Sequence, residues 1–142
     1  MSDVLSVDIV NKRSEISRLC GLIEKFGEEH GLSPDAVITL SLLLDETVIN
    51  VIAHGYEDDL EHHIDVRLEL TGDLVSIRVD DDGVPFNPLH APVPDLDLPI
   101  EERPIGGLGV HIVRTMADSV EYQRINGRNI LTMTKKLGAT SA

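Results

Sequence analysis

The sequence has one cysteine, Cys20, no tryptophan, two phenylalanines and two tyrosines in 142 residues. A lone cysteine excludes an internal disulfide and fits a reducing compartment, so a cytoplasmic location is expected. Cys20 stands beside Leu19 and Leu22 in a helical pattern, the place of a small buried hydrophobe. Basic residues are also scarce: 12 Lys and Arg against 25 Asp and Glu give a formal net charge of −13. Nucleic acid is therefore not expected as a partner, because neutralising phosphates takes clustered cations. A basic protein partner would be steered favourably by such a field. No membrane span is expected, because the most apolar stretch is broken by Ser41, Asp45 and Glu46, short of the ~20 residues a bilayer demands. The first residues carry neither a basic n-region nor a long apolar h-region, so no signal peptide is expected. With 42% hydrophobic and 26% charged residues, positions 1–142 read as one globular domain.

What the chain does have is a long apolar helix, expected over residues 35–54 (DAVITLSLLLDETVINVIAH). Ser33 is its N-cap, Pro34 its first helical position, Asp35 an acid in the first turn and Gly55 its C′ residue. Glu46 and Asn50 interrupt the apolar surface four residues apart, on one face, and His54 continues the row. A buried carboxylate and amide are costly without partners, so something should meet that face. Backbone or water can satisfy them; oxygens at this spacing also suit a hydrated Mg²⁺, which takes few protein ligands and leaves the rest to water and phosphate.

Around this helix the pattern predicts a first, edge strand over 4–10 and a helix over 12–29, capped by Asn11 and ended by Gly31. Residues 57–61 read as a solvated acidic turn, and His62-His63 as the exposed start of a strand rather than a metal site. Two strands then alternate cleanly, with Ile64, Val66, Leu68 and Leu70 inward from one and Val75, Ile77 and Val79 from the next. Gly72-Asp73 makes the tight turn between them. Continuing the inward set reaches Asp81 and then Gly83, while Asp80 and Asp82 point out. Asp81 is thus a second polar group aimed at the core; an Asx turn before Gly83 is the structural alternative. Residues 87–103, with Pro88, Pro92, Pro94 and Pro99, have no period and read as a long lid-like loop. Gly106-Gly107-Leu108-Gly109 opens an amphipathic helix with Val110, Val113 and Met116 or Ala117 inward. Glycines there let backbone N–H groups and the helix dipole meet an anion. A hairpin turning at Asn126-Gly127 closes the chain.

Three motifs therefore stand in one order: Glu46-x-x-x-Asn50 with His54-Gly55-Tyr56, Asp81-x-Gly83-x-x-Phe86, and Gly106-Gly107-Leu108-Gly109. Together, over nearly the whole chain, they resemble the N, G1 and G2 boxes of the GHKL ATPases. More narrowly, the sequence is similar to the bacterial anti-sigma factor serine/threonine kinases. The resemblance implies an α/β two-layer Bergerat sandwich: a mixed, mostly antiparallel sheet with helices on one face. ATP would lie between the central helix, the sheet end and the 87–105 lid. Asp81 would accept from the adenine amino group, Gly83 would let the base approach the backbone, and Asn50 would hold Mg²⁺ at the phosphates. The backbone of Gly106, Gly107, Leu108 and Gly109 would receive phosphate oxygens, and Glu46 would be the general base.

The implied activity is phosphorylation of a serine or threonine on an anti-anti-sigma (STAS-type) partner, with a sigma factor as the other ligand and a homodimer also open. A nucleotide-gated binding module without kinase activity is the alternative, and it needs Asp81 and the glycines but no base. The chain departs from the family pattern at Pro85, where many relatives carry glycine, and in a lid whose one cation is Arg103. Asn129, rather than Thr132, falls where many members place a threonine beside the adenine acid.

Overall fold

Period-two alternation builds the sheet, and the sheet positions everything else. A computed structural model describes residues 3–87, 113 and 115–137. Along them run strand β1 (Asp3–Val10), helices α1 (Ser14–Glu29) and α2 (Pro34–His54), and strands β2 (His63–Thr71), β3 (Leu74–Asp81), β4 (Ser119–Ile125) and β5 (Arg128–Lys136). The strand order is β1-β2-β3-β5-β4, and the pairings among the described strands are all antiparallel. β1 is an edge, as its composition suggests, while β5 lies inside the sheet between β3 and β4. Both hairpins turn where the sequence places them. Asn126 and Gly127 have φ of 52° and 77°, the pair of left-handed residues that a two-residue hairpin loop needs.

The inward residues of β2 and β3 are buried without exception, from Ile64 through Val79 to Asp81. Helices α1 and α2 cover that face, with Leu19, Ile23 and Phe26 from one and Leu40, Leu43, Leu44 and Val48 from the other. This is the expected two-layer α/β arrangement. Val113 and Ala117 join the same core, the Ala117 N–H donating to Val113 O at 3.0 Å. The glycine motif at 106–109 and residues 88–105 of the expected lid lie outside the described residues.

Four local expectations change. Asn11 does not cap α1, which begins at Ser14 with Arg13 before it and no side-chain cap. Instead Asn11 Oδ1 accepts from the His62 N–H (2.8 Å) and Nδ2 donates to Leu60 O (3.3 Å), tying the end of β1 to the acidic turn. Cys20 is not simply apolar filling: half-buried, its Sγ–H donates to Asp45 Oδ1 at 3.2 Å and links α1 to α2. Burial first, then the Asp45 carboxylate, pushes its pKa up to about 11, so the thiol stays protonated and unreactive.

Helix α2 is capped as expected, Ser33 Oγ accepting from the Ala36 N–H at 3.1 Å. At 21 residues it is, by length and composition, apolar enough to cross a membrane despite Ser41, Asp45 and Glu46; here it is a core helix. Gly55 ends it with its N–H on Val51 O (2.7 Å), but at φ −82° it is right-handed rather than a left-handed C′ residue. Close approach explains the glycine, since a Cβ there would stand 2.5 Å from the Val51 carbonyl oxygen.

Candidate nucleotide site between the central helix and the sheet end

Between α2 and the ends of β3 and β5 lies a cavity lined by Thr47, Asn50, Val51, Gly55, Val79, Asp81, Phe86, Val113, Tyr122, Asn129 and Leu131. Its walls are mainly apolar with a few convergent polar groups, the character of a small-molecule site. Asp81 and Asn50, singled out from different stretches of sequence, are both buried and both face it.

The alternation of β3 makes Asp81 inward, and the strand register makes Asn129 of β5 its direct partner. Asp81 Oδ1 accepts from the Gly83 N–H (2.9 Å) and from Asn129 Nδ2 (3.0 Å). Among the described residues, no hydrogen bond uses Oδ2. The Asx turn and the core-facing acid are therefore one residue in both capacities. Burial pushes the Asp81 carboxyl above its ordinary range, the two donors oppose this, and Asp82 and Asp80 add to it. A carboxylate in such a place is costly, which makes Asp81 a candidate functional group.

Gly83 sits beside Gly55 at the cavity's edge. The Val84 N–H donates to Gly55 O at 2.7 Å, docking the G1 turn on the end of α2. A Cβ on residue 83 would collide with Gly55 O and stand 2.9 Å from Asp81 Oδ1. The missing side chain is thus used for backbone-to-backbone contact across the site, a role the sequence does not display. Gly83→Ala is expected to destabilise the domain by about 1–3 kcal/mol, because the obstructing atom is backbone and cannot swing away. Gly21→Ala in exposed α1, where a Cβ meets nothing within 4 Å, should instead stabilise by up to ~1 kcal/mol. Urea unfolding of both variants checks the contrast.

The row on α2 does not enter the site as a unit. Asn50 lines the cavity, and its side chain makes no hydrogen bond to another described residue. Glu46 is half-buried and outside the lining, its carboxyl raised by burial and then by the neighbouring Asp45. His54 is exposed and stacks on Phe86, ring centroids 5.6 Å apart. His62 bridges Asp58 (2.8 Å) and Asp82 (3.3 Å) and stacks on Tyr56, which fastens the acidic turn beside the site. Among the described residues no group of three or more His, Cys, Asp or Glu could hold a metal ion.

Thr132 lies on the open face of the sheet, opposite Arg78 and Glu121, whereas Asn129 is in the site. Sequence reasoning missed Tyr122 and Arg124. The Tyr122 hydroxyl donates to Asn129 Oδ1 at 2.5 Å, and Arg124 Nη1 donates to Gly83 O at 2.7 Å. A signal existed: the Asn126-Gly127 turn fixes the register, and counting from it sets Arg124 opposite Asn129 and Tyr122 opposite Leu131.

With this geometry in place, the chain can be compared with known proteins. Residues 9–135 match the histidine kinase-like ATPase domain family. Serine/threonine-protein kinase BtrW of Bordetella bronchiseptica is 31% identical over 96 residues, 68% of this chain and 68% of that protein. Serine-protein kinase RsbW of Bacillus mycoides is 30% identical over 109 residues, 74% of this chain and 67% of that protein. The crystal structure of the RsbU and RsbW domains of a Mycobacterium tuberculosis protein superposes with a TM-score of 0.69 at 18% identity, over 95% of this chain. This chain spans 32% of that longer one, and at such identity the likeness speaks for the fold alone.

Proposed function

Because the chain belongs to the histidine kinase-like ATPase domain family, we propose that it is an ATP-dependent serine/threonine protein kinase acting as an anti-sigma regulator in the cytoplasm. Its partner in this reading is an anti-anti-sigma protein of STAS type that offers a serine or threonine hydroxyl, with a sigma factor as its other ligand. The observation that carries the reading is Asp81, a buried carboxylate facing a mainly apolar cavity that also holds the Asn50 amide. The kinase names of relatives at 30–31% identity support the activity.

The residues present fit the nucleotide. Apolar walls from Val51, Val79, Phe86 and Leu131 suit a flat base, and Asp81 supplies an acceptor for an amino group. Asn50 offers one oxygen to Mg²⁺, which ordinarily keeps water and phosphate as its remaining ligands. When bound, ATP would supply the phosphoryl group and Mg²⁺ would neutralise part of the negative charge on the phosphates. Glu46, one helical turn from Asn50, takes the proton of the acceptor hydroxyl, and burial raises its basicity for that task.

The test is incubation of the purified chain with γ-labelled ATP, Mg²⁺ and a STAS-type protein. Acid-stable label on a serine or threonine of the partner is expected. Acid-labile label would point to histidine, and no saturable ATP binding at about millimolar concentration would remove the nucleotide from the reading altogether.

A further inference from the structure

Asn129 has used every hydrogen-bonding group it owns. Its amide hydrogens go to Asp81 Oδ1 (3.0 Å) and Val84 O (2.8 Å), while its carbonyl accepts from the Tyr122 hydroxyl (2.5 Å) and the Phe86 N–H (3.3 Å). A saturated amide has nothing left for a ligand, so its work is done on the protein. The Phe86 N–H, which can only donate, and the Asp81 and Val84 oxygens, which accept, fix which way round the amide sits, and the Tyr122 hydroxyl completes the set. Reversed, the amide would set its carbonyl oxygen against the Asp81 carboxylate and the Val84 carbonyl, with no donor between them.

We propose that Tyr122 and Asn129 are positioning residues that hold Asp81 as an ionised, acceptor-only carboxylate with Oδ2 left for the ligand. The site then takes a base bearing an amino donor and rejects one bearing a carbonyl. This rests on the nucleotide-binding reading above and adds the device that enforces base choice.

The surroundings show why such a device is needed. Burial favours the protonated form of Asp81, and Asp80 and Asp82 on its own segment push the same way. From the end of α2 the Tyr56 ring brings a buried hydroxyl with no hydrogen-bond partner among the described residues. The nearby cations are engaged elsewhere, Arg128 on Asp80 and Asp65 and Arg124 on Gly83 O. The donors that keep the carboxylate charged are Asn129 Nδ2 and the Gly83 N–H. A protonated Asp81 would present an O–H instead, the complement of a guanine carbonyl rather than an adenine amino group. Base choice and ionisation state are the same property here.

Titration of the whole chain with Mg-ATP and Mg-GTP at about pH 6 and about pH 8 tests this, beside NMR titration of the labelled Asp81 carboxyl without nucleotide. The wild type should prefer ATP at both pH values. Asn129→Leu should lower that preference by about tenfold or more at the lower pH, recover part of it at the higher, and raise the carboxyl midpoint. Tyr122→Phe, which keeps the ring, should move both quantities the same way by a few-fold, and it carries the test if the first variant fails to fold. Folded variants with the wild-type ATP-to-GTP ratio at both pH values and an unmoved midpoint overturn the proposal. If the wild type binds neither nucleotide but the midpoint still rises in the variants, the nucleotide reading falls while the hold on Asp81 stands.

Discussion

The Asp81→Asn variant should lose ATP and yet, near neutral pH, be more stable than the parent domain. The binding loss follows from hydrogen-bond polarity. With its oxygen held by the Gly83 N–H and Asn129 Nδ2, the new amide turns its NH₂ toward the cavity, donor against the base's amino donor. Losing a hydrogen bond to a charged acceptor weakens binding by about 10- to 100-fold, and opposing donors add to this. The stability gain follows from linkage. Burial raises the Asp81 carboxyl above its unfolded value, so the folded state binds that proton more tightly than the unfolded state does. Folding stability is therefore full below the unfolded pKa and falls as pH rises through the raised folded value. The amide has no such step. Thermal melts should show the variant ahead at neutral pH by a few degrees, about what 1 kcal/mol gives in a domain of this size, with the advantage vanishing on acidification. A variant that melts lower at neutral pH would mean Asp81 is a structural acid, not one retained for a ligand.

Glu46→Ala should separate the chemical step from binding. Calorimetric titration with Mg-ATP should match the wild type, because Glu46 is outside the cavity lining that Asn50 and Asp81 share. Phosphoryl transfer to a STAS-type partner should fall by about 10²–10⁴-fold, the usual contribution of a positioned general base. Transfer at the wild-type rate would dismiss Glu46 as the base. Nucleotide binding without transfer in the wild type itself would favour the nucleotide-gated binding module. Glu46 is half-buried with its carboxyl raised, which is compatible with the proposed role of base.

Much of this was legible because it is local. Period two in β2 and β3 names the buried face and carries it on to Asp81, since each successive side chain must change sides. Ser33 and Pro34 start α2 through bonds within one turn, and Asn126-Gly127 sets the last hairpin by its own dihedrals. Tertiary structure decided the rest, because those contacts join residues far apart in the chain. Glu46 and Asn50 share a helical face, but at 3.6 residues per turn they are not superposed, and only packing against the sheet buries Asn50 and leaves Glu46 at the margin. Gly83 looks like an ordinary loop glycine until α2 meets the end of β3 and leaves no room for a Cβ there. Asn129 reads as a departure from a family pattern in the sequence. In the fold, sheet order puts β5 beside β3, and the amide becomes the residue that holds Asp81 in place.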